Sequence, residues 1–142
     1  MRMFGLVALA ALAISGCTEK PVLNVTDATV RLPAVPRGPA AAYFTVHGGP
    51  VADRLLEVTS ENAIRAEMHE SMSSGGMAAM KPIEGVPIPA KSTVKFESGG
   101  KHVMFFDVNP ALQPPRSMPI KFIFASGERI VVNATLLKPG EQ

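Results

Sequence analysis

The sequence predicts an all-β protein, an antiparallel β-sandwich. Three observations carry that expectation. Apolar and polar residues alternate in short runs, and no stretch keeps a helical spacing. Glycine and proline punctuate the runs, with 12 and 13 among 142 residues, a load that suits turn-rich β-structure. Hydrophobic residues make up 46% and charged ones 18%, which excludes global disorder and leaves enough apolar surface for one core.

The elements follow in order. Residues 28–32 alternate until Pro33 stops them, and the proline-rich stretch 32–39 reads as a loop. Ala40–His47 reads as a strand ended by Gly48-Gly49-Pro50. Residues 55–59 form another run. Ile64, Ala66 and Met68 then alternate with Arg65, Glu67 and His69, which points the first three inward and ends a strand at His69. Residues 68–80 break the rhythm with several methionines and Gly75-Gly76, and read as a loop or loose hairpin. Residues 93–97 place Val94 and Phe96 on one face. Residues 98–101 form a turn, 102–108 a strand, and 109–115 a proline-rich bend. Two runs, 120–125 and 130–136, flank the turn Ser126-Gly127-Glu128-Arg129 as a hairpin. Seven or eight strands at this spacing suit a sandwich. Residues 138–142 look frayed.

The N-terminus reads as an export signal. Met1-Arg2-Met3 is a short basic start, and residues 4–14 form an uncharged apolar run. That run is too short to span a bilayer and suits a signal-peptide core. It ends in Ile14-Ser15-Gly16-Cys17, which resembles the lipobox of bacterial lipoproteins, with Cys17 as the acylated residue. Cys17 is also the only cysteine. The expected organisation is a signal peptide over 1–16, a lipidated cysteine and tether over 17–22, one β-sandwich domain over 23–138 and a tail over 139–142. The location implied is the periplasmic side of the envelope, with the membrane engaged through the lipid.

Composition narrows the chemistry. A net charge of +2 is too small for a nucleic-acid footprint. One cysteine allows neither an intrachain disulfide nor a two-thiolate site. Three histidines and eight methionines remain. His102 and Met104 are two apart in a strand, so both point to one face with Cα atoms roughly 7 Å apart. His69 and Met80 close the donor set. Neutral imidazole with uncharged, soft thioether sulfur selects Cu(I) over zinc and the hard cations.

Ten residues separate His69 from Met80, twenty-one separate Met80 from His102, and one separates His102 from Met104. This spacing resembles the H(M)-x10-M-x21-H-x-M signature of the PCu(A)C-type periplasmic copper chaperones. A chance match is on the order of 10⁻⁴ over the chain. Residues 25–31, Ala42-Tyr43-Phe44, Asp53, Leu55, Ile88-Pro89-Ala90 and Gly99-Gly100-Lys101-His102 are similar to the family as well. The resemblance implies a cupredoxin-like Greek-key β-sandwich. It implies Cu(I) held by His69, Met80, His102 and Met104. It also implies delivery to a copper-accepting protein, either an oxidase subunit such as that of cytochrome c oxidase or another copper chaperone. Thr29 departs from the family, which often has tryptophan there. The residues up to Gln142 show no His/Met-rich extension of the kind that gives some members a second copper site.

Other residues receive plainer readings. Met72 and Met77 are second-rank metal donors, able to guard the site or lend sulfur in transit. Met68 belongs to the core, and Met104 competes for a core reading because Phe106 shares its face. Glu67 and Glu70 are hard donors, read as solvated, and Lys101 is read as a turn residue or a steering charge. His47, beside Gly48-Gly49, has no metal role. A blue-copper site needs a cysteine thiolate with two histidines, and Cys17 is committed to lipid. No nucleophile elbow or zinc-histidine motif supports an enzyme. The competing reading is a metal-free envelope lipoprotein whose sandwich presents an interaction surface.

Overall fold

A computed structural model describes Gly16 and residues 19–141. Cys17 and most of the signal segment lie outside the described residues. Ten strands form: β1 Asn24–Arg31, β2 Ala40–His47, β3 Asp53–Thr59, β4 Ala63–Ser74, β5 Met77–Pro82, β6 Val86–Ile88, β7 Thr93–Phe96, β8 Lys101–Val108, β9 Ser117–Phe124 and β10 Arg129–Leu137.

The strands run in the order β5-β4-β8-β2-β1-β10-β9-β3-β6, with β7 beside the second half of β2. The path folds over into an all-β sandwich of cupredoxin-like form. β1 joins the two layers. Its whole length pairs with β2, and its last residues, Thr29 to Arg31, also pair with β10. The register of β1 shifts between Thr26 and Thr29, where Asp27 has a φ of 55°. Such a bulge bends a strand from one sheet into another. The β1–β10 pair is parallel while the other recorded pairs are antiparallel. The fold is therefore mostly antiparallel, since alternating runs fix faces but not strand direction.

Period-two burial builds the core. Ala40, Ala42, Phe44 and Val46 of β2 point inward, as do Met118, Ile120, Phe122 and Phe124 of β9. Phe44 stacks on Phe96 with ring centroids 4.3 Å apart and meets Phe122 edge-on at 4.7 Å. These rings tie β2 and β7 to the opposing layer.

Several expectations change. Of the two forms expected for residues 68–80, the structure has the hairpin, and it is regular rather than loose. β4 continues through Ser74 and β5 returns beside it in unbroken register, from His69 opposite Pro82 to Ser74 opposite Met77. Gly75 and Gly76 have φ of 58° and 79°, the left-handed values a two-residue hairpin turn demands. β5 and β6 escaped the sequence reading because β5 is exposed throughout and β6 is only three residues long. Ile64 faces solvent at 83% exposure. It lies opposite the irregular end of β8, where Asp107 has a φ of 52°. Met68 is buried as expected. The tail is tied down: the Arg31 Nε donates to the Glu141 carbonyl at 2.9 Å, and the Lys138 amide donates to Glu141 Oε2 at 2.7 Å.

Candidate metal centre

β4 and β8 set the site. Their register places Arg65 opposite Phe106, Glu67 opposite Met104 and His69 opposite His102. Directly opposed residues of an antiparallel pair share a face. These six side chains therefore form one ladder. Ala66, Met68, Val103 and Phe105 belong to the other face, toward the core. Phe106 faces outward beneath the Arg65 guanidinium, 3.9 Å from the ring centroid. Met104 is thus no core filler: it sits half-buried between Glu67 on β4 and Ala41 on β2.

The two imidazoles lie side by side, ring centroids 5.9 Å apart and planes inclined by 49°. Each has one nitrogen engaged. His102 Nδ1 donates to the Gly100 carbonyl at 3.0 Å, which leaves the Nε2 lone pair free. His69 Nε2 donates to Glu67 Oε2 at 2.9 Å, which leaves the Nδ1 lone pair. That Nδ1 is buried and has no hydrogen-bond partner. A buried polar atom left unmet is costly, and here its lone pair sits beside a second imidazole that also offers one. Metal-bound histidines commonly donate the other ring N–H to a carboxylate or a backbone carbonyl, and both kinds of anchor are present.

The anchors are themselves held. Glu67 pairs with the Arg65 guanidinium as well as with His69. The Gly100 carbonyl also accepts the Ser71 amide at 3.1 Å, joining the loop before β8 to the extension of β4. Glu67 is therefore a structural partner of His69 and not a merely solvated acid. Its position two residues before His69, on the same strand face, was the available signal. Glu70 and Lys101 lie opposite each other on the other face and form an ion pair at 3.3 Å.

Met80 stands opposite Ser71 across the hairpin, on the His69 face, and is 57% exposed. The donors are thus graded. His102 is 5% exposed, and the site opens to solvent on the Met80 side. Met72 and Met77 are exposed, but the register turns them to the opposite face of the hairpin, away from the imidazoles. His47 lies at the far end of β2, where its Nε2 is 2.9 Å from Thr26 Oγ1. Among the described residues no group of three His, Cys, Asp or Glu side chains could hold a metal. Thioethers are the remaining donors beside the histidine pair.

The sequence over residues 23–136 matches the family model described as LpqE-like lipoprotein. The chain belongs to the LpqE-like lipoprotein family. That membership supports a periplasmic, lipid-anchored location for this LpqE-like chain. No curated protein sequence matches it. Solved structures do. The chain is similar to CuI-DR1885 from Deinococcus radiodurans, at 29% identity and a TM-score of 0.68, covering 89% of this chain and 85% of that one. It is similar to apo-DR1885, at 27% identity and a TM-score of 0.61, covering 99% and 96%. The copper-bound PCuAC domain from PmoF2 shares the fold at 19% identity and a TM-score of 0.68, covering 82% and 93%. The LpqE-like domain thus shares its fold with PCuAC domains.

Proposed function

We propose that this protein is a Cu(I) carrier, not an enzyme, which binds copper through His69, His102, Met80 and Met104 and passes it on by ligand exchange. The single observation that carries the reading is the opposition of His69 and His102 on one strand-pair face, with a free lone pair on each ring and one of them buried without a partner. Met104 shares that face on β8 and Met80 shares it across the hairpin. Two neutral nitrogens and two neutral sulfurs suit a monovalent, soft ion. The copper-bound state of the DR1885 relative supports the same cargo. Met72 and Met77 serve only as secondary sulfur donors, on the outer face of the hairpin. The recipient is a copper-accepting protein of the envelope, such as a cytochrome c oxidase subunit or another copper chaperone. Cys17, once acylated, tethers the carrier to the membrane, with 23–138 as the working domain.

Cu(I) titration of the soluble chain from Thr18 onward, under reducing conditions, tests this. About one Cu(I) per chain is expected, with zinc far weaker. His69→Ala and His102→Ala abolish or sharply weaken binding, whereas His47→Ala matches the parent. Equal losses in all three, or displacement of copper by equimolar zinc, refute the site. Separately, Cys17→Ser releases the full chain from membranes while copper binding persists. A variant that stays membrane-bound refutes the lipid anchor.

A further inference from the structure

We infer that the free edge of β5 is the docking edge for the copper acceptor, which adds an extended segment there as one more strand beside Met80. This rests on the copper site proposed above. β5 ends the sheet path, and among the described residues β4 is its only strand partner. All its side chains are exposed, and Met77-Ala78-Ala79-Met80 carries no charge.

The hairpin register decides which amides face that edge. In an antiparallel pair, hydrogen-bonded and non-hydrogen-bonded positions alternate. The Ile83 amide donates to the Met68 carbonyl at 2.9 Å. The pairs in step with it are Glu70–Lys81, Met72–Ala79 and Ser74–Met77, so the backbones of Lys81, Ala79 and Met77 are turned toward β4. Ala78 and Met80 fall between them. Their N–H and C=O groups point outward, to the free edge. Pro82 holds the next outward position and has no N–H to offer. An incoming strand therefore finds amide partners at Ala78 and Met80 and is stopped at Pro82. An unpaired edge invites strand addition. Here the stretch open to it is short and contains a proposed copper ligand.

Pairing at that edge fixes the acceptor's chemistry. The residue that lands opposite Met80 shares its face, with Cβ atoms about 4.5–5.5 Å apart. One metal ion can bridge two side chains at that separation. A cysteine in that place completes the transfer. Its S–H gives a proton to solvent, the thiolate–copper bond forms, and the Met80 thioether–copper bond breaks. Copper stays monovalent throughout. The only ionic side chain on β5 is Lys81, which favours a neutral or acidic segment. The occupant is thus an extended, cysteine-bearing, non-basic segment of the acceptor.

The test uses the full acylated chain in detergent micelles, loaded with Cu(I). The probe is a short peptide of alternating threonine and valine with a central cysteine; glutathione serves as a thiol that cannot form a strand. Ala78→Pro removes one outward amide and leaves the β4 ladder its hydrogen bonds, as Pro82 does naturally. The expected result is unchanged Cu(I) affinity in Ala78→Pro, unchanged transfer to glutathione, and transfer to the peptide slowed about tenfold. Equal transfer rates to the peptide in parent and variant overturn the docking edge. An independent reading comes from amide exchange in the parent without copper, where the peptide should newly protect Ala78 and Met80 while Ala79 and Lys81 are protected beforehand. Absence of new protection also overturns the edge. Protection that instead rises with protein concentration alone assigns the edge to a second copy and overturns the acceptor. A parent that fails to hold Cu(I) overturns the copper site itself, a result distinct from loss of docking.

Discussion

Glu67 orients one imidazole of the proposed copper site. Its carboxylate is clamped by Arg65, which is in turn held over the Phe106 ring, and it fixes the proton of His69 on Nε2. That leaves the Nδ1 lone pair for the proposed copper. Removing a partner that orients a metal-binding histidine commonly costs about 10–100-fold in affinity. Glu67→Ala is expected to lower Cu(I) affinity within that range, with Glu67→Gln between it and the parent, because the amide oxygen still accepts from Nε2 but carries no charge. Competition with a chromophoric Cu(I) chelator measures both, and two variants indistinguishable from the parent would exclude this role. The donor types and their spacing were readable in the sequence, because strand parity puts His102 and Met104 together. The role of Glu67 was not read, because a charged residue on an exposed-looking strand is usually solvated. Only the pairing of β4 with β8 shows which acid faces which imidazole.

At the scale of elements, the β4–β5 hairpin decides where Met80 stands. Its turn needs left-handed backbone at Gly75 and Gly76, and open space surrounds both. A side chain there meets no neighbour, so its cost is backbone strain alone, about 1–2 kcal/mol per residue. Gly76→Val is therefore expected to loosen the hairpin and lower Cu(I) affinity toward that of Met80→Ala, with the histidine pair intact. An affinity equal to the parent's would show that the turn does not set the position of Met80. The strands with clean alternation, β2, β9 and β10, were legible in advance, because burial on one face forces period two. β5 was not, because a projecting exposed arm has no buried face to impose a pattern. The turn between β9 and β10 has its own clamp. Asp53 at the start of β3 accepts the Ser126 hydroxyl at 2.5 Å, the Ser126 amide at 3.1 Å and the Arg54 amide at 2.8 Å. Burial pushes this carboxyl up, but those three hydrogen bonds outweigh it and hold it below the ordinary aspartate value. A depressed value in the folded state means the stabilisation is present above the unfolded-state value, about 3.9. It disappears as pH falls through the lower folded value. Asp53→Asn should be less stable than the parent near neutrality, with the gap closing on acidification. Urea unfolding across that range measures it, and a gap that widens in acid would contradict the assignment.

At the scale of the whole molecule, the apolar core is expected to hold the fold in the metal-free chain as well. The core joins both layers through Phe44, Phe96 and Phe122, and it is built from strands that the alternating pattern specifies. Phe44→Ala is expected to cost about 3–5 kcal/mol by denaturant unfolding, in the metal-free chain, and a loss under about 1 kcal/mol would show that these rings do not organise the core. The sandwich class was legible because short alternating runs and Pro/Gly turns admit few other architectures. The parallel pairing of β1 with β10 was not, because it is set by the bulge at Asp27 and by which layer each end of β1 joins. The claim that unites these scales is that the fold brings two imidazoles and two thioethers to one Cu(I). X-ray absorption at the copper edge of the loaded protein tests it most directly. The account predicts a monovalent edge and a mixed shell of imidazole nitrogen and sulfur in about equal number, with part of the imidazole signal lost in His69→Ala. A shell without sulfur, or one without imidazole scattering, would contradict it.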